Sequence, residues 1–160
     1  MALTLESLVA VKQQAYSFSF LTAGQKMQLK ALFMYFAQHR RVTTISSSAL
    51  DIVAFANLTT YVAPADAAAT LYAAFVKKQN TSTAATFKIN DSATAAGGAS
   101  GANMTDAIEL TAANKDALLI WPDGKAHGTG IAVASETNGA GGTNSTSGDG
   151  PNGFVIFGAA

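Results

Sequence analysis

The apolar positions near the start of the chain recur every three or four residues, which is the period of a helix that buries one face. Residues 4–17 show this spacing, with Thr4 at the N-cap. Residues 22–25 (Thr-Ala-Gly-Gln) match a capping box, in which a hydroxyl and an amide side chain reciprocally satisfy free backbone N–H groups. The apolar residues that follow are Leu29, Leu32, Phe33 and Phe36. The pattern therefore predicts two helices, and the second should end at about Arg40.

Two further helices are predicted downstream. Residues 48–51 (Ser-Ala-Leu-Asp) are typical of a helix start, and the helix should end near Asn57. Pro64 suits the first turn of another helix. That helix would carry an acidic residue early and the basic pair 77–78 late, as the helix dipole favours. Residues 1–80 are therefore expected to form a helical region of three to four helices.

The pattern changes after this region, where short alternating or apolar runs are separated by glycine-rich segments. Five strands are predicted: residues 86–90, 107–111, 117–121, 130–136 and 154–157. Residues 122–125 (Pro-Asp-Gly-Lys) predict a turn, and residues 94–103 and 138–152 predict loops. Residues 81–160 should therefore form a small antiparallel β-sandwich or barrel-like domain, which makes the fold class α+β.

The last predicted strand, residues 154–157 (Phe-Val-Ile-Phe), is apolar at every position. An exposed strand edge of this kind promotes aggregation. We therefore expect either that the sheet closes on this strand or that a second subunit covers it.

The composition favours a protein that associates. Apolar residues make up 49% of the chain, charged residues only 12%, and the net charge is zero, a combination that favours association over free solubility. The charges are unevenly placed. Residues 1–80 hold seven bases and three acids (net +4), whereas residues 81–160 hold three bases and seven acids (net −4). Because each half is small enough to be marginal alone, we expect the halves to pack together or the chain to oligomerise.

The basic half could contact an acidic partner surface. A direct nucleic-acid site is not predicted, because the bases are spread out and form doublets only at residues 40–41 and 77–78. Ordinary solvated helix ends account for the same charges and are the preferred interpretation.

The chain lacks the residues that several classes of protein require. There is no cysteine, which excludes disulfides and thiolate chemistry. The first residues lack the basic and apolar regions of a signal peptide. No apolar run approaches the roughly 18 residues of a membrane helix, so we expect no membrane partner.

The two histidines are the first candidates for catalysis, but neither has a partner at a useful spacing. His39 lies at a basic helix end, and His127 lies in a segment that is expected to be a flexible turn. Neither is spaced to share a metal with the other or with paired carboxylates. Asp91 and Asp149 are isolated acids, whereas a calcium loop needs several alternating oxygen ligands.

The remaining motifs are weaker. Residues 99–101 contain a serine without the strand-to-helix context of a nucleophile elbow, and residues 139–143 lack the helix that completes a phosphate loop. Trp121 could stack on a sugar, but it ends an apolar run and is expected in the core. Carboxylates distant in sequence could still pair in space. We predict no catalytic, cofactor-binding or metal-binding residue, no cofactor and no enzymatic activity.

Three segments of the second half resemble small structural proteins of tailed bacteriophages: residues 121–125 (Trp-Pro-Asp-Gly-Lys), residues 130–137 and, after a Gly/Asn/Ser loop, residues 153–159. The resemblance covers mainly residues 86–160. The charge-poor, cysteine-free, Ala/Thr/Gly-rich composition is similar to that of capsid decoration (cement) proteins.

The resemblance implies an oligomer, with a trimer favoured, that binds the outer surface of a capsid shell. The partners would be the major capsid protein or other virion subunits. The location would be the virion, after synthesis in the host cytoplasm. A phage tail or fibre adaptor that meets a receptor through the predicted loops is the alternative.

Overall fold

The computed structural model describes residues 3–39, 42–43, 49–59, 62–79, 84–94, 103–137 and 150–159. Among these, the chain forms two helices and ten strands. The helices are α1 (Leu5–Ser17) and α2 (Ala23–His39). The strands are β1 (Leu3–Thr4), β2 (Val42–Thr43), β3 (Leu50–Phe55), β4 (Val62–Ala65), β5 (Ala69–Lys77), β6 (Ala85–Asp91), β7 (Met104–Leu110), β8 (Asp116–His127), β9 (Ile131–Thr137) and β10 (Asn152–Ala159).

Both helices begin where the sequence predicts. The Thr4 hydroxyl oxygen accepts a hydrogen bond from the Ser7 backbone N–H at 3.3 Å, which caps α1. Thr22 and Gln25 form the predicted capping box. The Thr22 N–H donates to the Gln25 side chain at 2.9 Å, and the Gln25 N–H donates to the Thr22 hydroxyl oxygen at 3.2 Å. The first two predicted helices are therefore confirmed.

The strands form two four-stranded antiparallel sheets. The first sheet has the order β3-β10-β5-β8 and the second has the order β4-β9-β6-β7. A separate short parallel pair joins β1 to β2. The sheets stack on each other, and the two helices cover the other face of the first sheet, so the described residues form three layers.

The first sheet is apolar on both faces. Along β10, Phe154 and Ile156 pack towards the helices, whereas Val155 and Phe157 pack towards the second sheet. In β5, Phe75 similarly faces the helices while its neighbours face the second sheet. Two separate cores therefore share this sheet as their common wall.

The prediction of three to four N-terminal helices is wrong, because the segments predicted as the third and fourth helices are strands. Residues 48–57 contain β3, and residues 64–78 contain part of β4 and all of β5. Both faces of β5 are buried, so its sequence lacks the alternating polar residues that mark a half-exposed strand. Its alanines are instead typical of a helix. The architecture is instead two helices on a two-sheet sandwich.

The five strands predicted in the second half of the chain are confirmed as β6 to β10. The final strand does not need a second subunit, since β10 pairs with β3 on one side and β5 on the other. The expected boundary between residues 80 and 81 lies outside the described residues. Strands from both sides of it, β3 and β5 before and β8 and β10 after, share the first sheet.

The predicted turn at residues 122–125 is a bulge within β8, because the strand continues on both sides of it. The pairing register with β5 shifts from Leu71 opposite Lys125 to Ala73 opposite Ile120. Gly124 has a φ of +82°, and an added Cβ there would lie 2.2 Å from Cγ2 of Thr70. Glycine is thus required in this bulge both by its backbone conformation and by the close approach of β5.

No helix in the part of the chain that the structure describes is long and apolar enough to cross a membrane.

A stack of phenylalanine rings fastens the helical layer to the first sheet. Phe18 and Phe20, in the connection between α1 and α2, stack on each other with centroids 4.9 Å apart. Phe18 then stacks on Phe154 at 5.2 Å and Phe20 on Phe75 at 5.3 Å. Offset aromatic pairs of this kind add stability beyond the area that they bury.

We predict that Phe154→Ala lowers the free energy of unfolding by about 3–5 kcal/mol, because it removes a fully buried ring and leaves a cavity. Urea unfolding followed by circular dichroism measures the change. The control is Met27→Ala, whose side chain is 71% exposed and which should cost under about 0.5 kcal/mol. Equal losses in the two variants would contradict the role of the stack.

Candidate functional site

The side of the helical layer that faces away from the sheets carries exposed apolar side chains. The described residues contain five exposed large apolar side chains, and four of them lie on the helices: Leu5, Val9, Met27 and Met34. Most exposed apolar residues on proteins are scattered singly, whereas clusters mark contact sites. This cluster is therefore the first candidate for a functional surface.

Two adjoining depressions run across these helices. One, of about 480 Å³, is lined by Lys12, Tyr16, Lys26, Met27 and Lys30. The other, of about 240 Å³, is lined in part by Leu5, Val9, Lys12, Lys30 and Met34. Because Lys12 and Lys30 line both, we treat the two as one surface, the helical groove. It has an apolar floor and a rim of lysines, and no acidic side chain among the residues that the structure describes lines it.

Two lysines of the helical groove are held against Tyr16. The Lys26 ammonium donates a hydrogen bond to the Tyr16 carbonyl oxygen at 3.1 Å, and the Lys12 ammonium lies 6.0 Å from the centre of the Tyr16 ring. The Tyr16 hydroxyl is buried and has no hydrogen-bond partner among the described residues, and burial raises the pKa of this phenol. Tyr16 therefore stays neutral near pH 7, and the charge of the helical groove comes from its lysines.

The second region with concentrated polar groups lies where β6, β7 and β8 meet. His127, at the end of β8, is 1% exposed. Its Nε2 lies 3.1 Å from the Thr105 hydroxyl oxygen, and its Nδ1 lies 3.1 Å from the Lys125 carbonyl oxygen. Both ring nitrogens are therefore engaged by the fold, and the histidine is buried at a strand end rather than placed in a flexible turn.

Asp91 closes the same region from the end of β6. Its carboxylate accepts backbone N–H donors from Gly128 at 3.0 Å, Thr129 at 2.7 Å and Gly130 at 3.3 Å. Burial raises the pKa of Asp91, but these donors and the nearby charge of His127 outweigh burial, so the net pKa is lowered. Asp91 therefore acts as a clamp on the turn between β8 and β9.

Lys125 joins the edge strands of the two sheets. Its ammonium binds the Asp106 carboxylate at 2.5 Å and the Thr105 carbonyl oxygen at 2.9 Å, and it lies 5.8 Å from the centre of the Trp121 ring. Trp121 is half-buried and packs against the core between the sheets. Trp121 therefore lies at the edge of that core, and full burial in the core, which the sequence predicts, is not what the structure shows.

The third polar feature is an ion pair in a buried position. The Lys88 ammonium and the Glu136 carboxylate lie 2.6 Å apart, and their side chains are only 4% and 3% exposed. The two residues are 48 positions apart in sequence, on neighbouring strands β6 and β9. Asn90, on the same face of β6, is fully buried, and within the described ranges neither polar atom of its side-chain amide has a hydrogen-bond partner.

The other sequence candidates are dispersed. His39 is exposed at the end of α2, with its ring stacked on Tyr35 at 4.4 Å. Residues 99–101, residues 139–143 and Asp149 lie outside the described residues. In the described part of the chain, no three His, Asp or Glu side chains are grouped so that they could hold a metal ion.

Sequence reasoning missed the clamp and the buried pair. Asp91 looked isolated because its three donors lie 37 to 39 positions away. The one available signal was the Gly-Thr-Gly run at 128–130, since glycine-containing turns can direct successive N–H groups at an anion. For Lys88 and Glu136, alternation predicts only that they lie on the face opposite the core residues, and gives no sign that this face is buried.

We predict that Asp91→Asn lowers the free energy of unfolding by about 1 kcal/mol at pH 7, because a neutral amide accepts backbone hydrogen bonds less strongly. The folded-state pKa of Asp91 is depressed, so the carboxylate stabilises the fold above its ordinary pKa. That contribution is lost as pH falls towards the folded-state pKa. Urea unfolding at several pH values should show the difference from the unsubstituted protein shrinking in acid. Asp66→Asn, at an exposed acid, is the control and should show no such convergence.

We predict that Lys88→Met costs about 3–5 kcal/mol, because it leaves the Glu136 carboxylate buried without its cation. Replacing both residues, as Lys88→Met with Glu136→Leu, should cost less than the single change. Chemical unfolding of the two single variants and the double variant gives the coupling energy between the side chains. A double variant that loses the sum of the two single losses would refute the coupling.

No protein-family model matches this sequence, and neither does any curated protein. The function is therefore inferred from the geometry of the described residues. In that geometry the polar clusters tie strands and turns together, whereas the helical groove presents apolar and cationic groups outwards.

Proposed function

We propose that this chain is a non-enzymatic structural protein of a tailed-bacteriophage virion, an oligomeric capsid decoration protein that stabilises the shell. The observation that carries the proposal is the helical groove, where exposed apolar side chains and three lysines share one face of the molecule. Covering a surface of this composition with a protein partner lowers the free energy, because apolar area is removed from water.

The shape of the helical groove supports a protein partner over a small molecule. Small-molecule sites enclose most of the ligand and place a few polar groups around an apolar pocket. The helical groove instead spreads along both helices, with its lysines at the rim and exposed methionines such as Met27 and Met34 between them. Methionine side chains are flexible and adapt to an irregular protein surface.

The three-layer fold suits a protein that is repeated many times in a shell. The sandwich supports the helices on a wide, doubly buried sheet, so the helical groove is presented on a stable base. Each contact with a neighbouring subunit can be weak, because many copies bound to one particle stabilise it together. The major capsid protein or another virion subunit would be the partner on the shell.

The alternative is a phage tail or fibre adaptor that binds a receptor or glycan through residues 94–103 and 138–152. Neither segment contains an aromatic residue. Proteins commonly stack aromatic rings on flat or apolar ligand faces, so these segments are poorly suited to hold a sugar in that way. Four of the five exposed large apolar side chains of the described residues are on the helices instead, which favours the decoration protein.

We predict that purified virions contain the chain in a fixed ratio to the major capsid protein. Shells that lack the chain should disassemble at a lower temperature, and adding the purified protein should restore the original temperature. Quantitative mass spectrometry gives the ratio, and calorimetry or light scattering gives the disassembly temperature. A protein that stays a compact monomer and has no affinity for the shell would contradict the proposal.

A further inference from the structure

We infer that the helical groove of one copy of this chain receives the β7 strand of a second copy, so that copies associate head to tail. The inference rests on the proposed function, in which the chain is an oligomer, and it specifies the contact that forms the oligomer. The contributing parts are the apolar and lysine side chains of the helical groove and a strip of three residues on β7.

The strip on β7 consists of Met104, Ala107 and Glu109. The pairing register places Met104 opposite Asn90, Ala107 opposite Lys88 and Glu109 opposite Thr86, with an irregularity between the first two pairs. The three therefore lie on one face of β7, the face that points away from the core between the sheets. All three are exposed, and Met104 is 40% exposed. We call this surface the β7 strip.

The two surfaces have complementary chemistry. The five exposed large apolar side chains of the described residues divide between them, four in or beside the helical groove and one, Met104, on the β7 strip. The helical groove adds lysines and, in the described part of the chain, no lining acid, whereas the strip adds the Glu109 carboxylate. An apolar contact with a charge pair at its rim is the usual arrangement of a protein interface.

The two surfaces also match in length. A strand rises about 3.3 Å per residue, so the strip from Met104 to Glu109 spans about 15–17 Å. Helix α1 has 13 residues and is about 20 Å long at 1.5 Å per residue. The strip can therefore lie along the helical groove with its apolar and acidic ends both in contact.

The contact must form between copies rather than within one chain. The helical groove is on the outer side of the helical layer, and the β7 strip is on the outer side of the second sheet, with the first sheet between these layers. Because the two surfaces lie on opposite outer layers of the molecule, two copies cannot make both contacts reciprocally, so the contact is heterologous and does not form a two-fold dimer. Heterologous contacts form rings where the rotation between copies closes, and open chains where it does not.

The charge distribution of the chain supports the same arrangement. Helices α1 and α2 carry three lysines and one acid, whereas the four strands of the second sheet carry one lysine and four acids. A head-to-tail contact brings the basic helical layer of one copy to the acidic second sheet of the next. Such an attraction speeds association and weakens with added salt.

The test is charge reversal on each surface. Lys30→Glu changes a lysine that lines both depressions of the helical groove, and Glu109→Lys changes the strip. Each single change should weaken self-association of the full chain by about tenfold or more, because like charges then face each other across the contact. The double variant should recover most of the loss. Sedimentation equilibrium at low and high salt measures the association constants.

The matched control is Asp66→Lys, which reverses an exposed acid outside both surfaces and should leave association unchanged. Thermal unfolding of each variant checks that it is folded. Unchanged association in both single variants, or a double variant weaker than either, would overturn the inference. If the variants still form the oligomer but lose affinity for the shell, the helical groove contacts the shell. In that case the proposed function stands and the self-contact is wrong.

Discussion

The whole structure depends on a sheet that is buried on both faces. Strands β5 and β10 carry large apolar side chains on both sides, so the first sheet must be covered by a layer on each face. The helices supply one cover and the second sheet supplies the other. Removal of either layer would expose a continuous apolar wall to water. This requirement explains why segments from both halves of the chain pack on the same sheet.

The polar side chains in the described residues divide into those that fix the fold and those that face outwards. Asp91 secures the turn between β8 and β9, Lys125 joins the edges of the two sheets, and Lys88 pairs with Glu136 on a buried face. The lysines of the helical groove, by contrast, surround exposed apolar groups. The charged groups that stabilise the fold are thus separate from the lysines of the surface that we assign to assembly.

Local patterns in the sequence predicted local structure well, and failed where burial depends on distant segments. The caps at Thr4 and Thr22 were predictable because their partners lie three residues away. Strand β5 was mistaken for a helix because both of its faces are covered by segments far away in sequence, which leaves no polar alternation to detect. The Asp91 clamp and the helical groove escaped prediction for the same reason. Each requires knowledge of which surfaces the folded chain leaves exposed.

The central position of β10 has a consequence for how the protein is made. Strands β3 and β5 do not pair with each other; each pairs with β10, which lies between them. During synthesis, the edges of β3 and β5 that pair with β10 therefore stay unpaired, and their apolar faces stay exposed, until residues 152–159 emerge from the ribosome. A truncated chain that stops before this point would expose aggregation-prone strand edges. It would also lack Phe154 from the stack that holds the helices. The helical groove therefore rests on a sheet that can be assembled only once β10 has been translated.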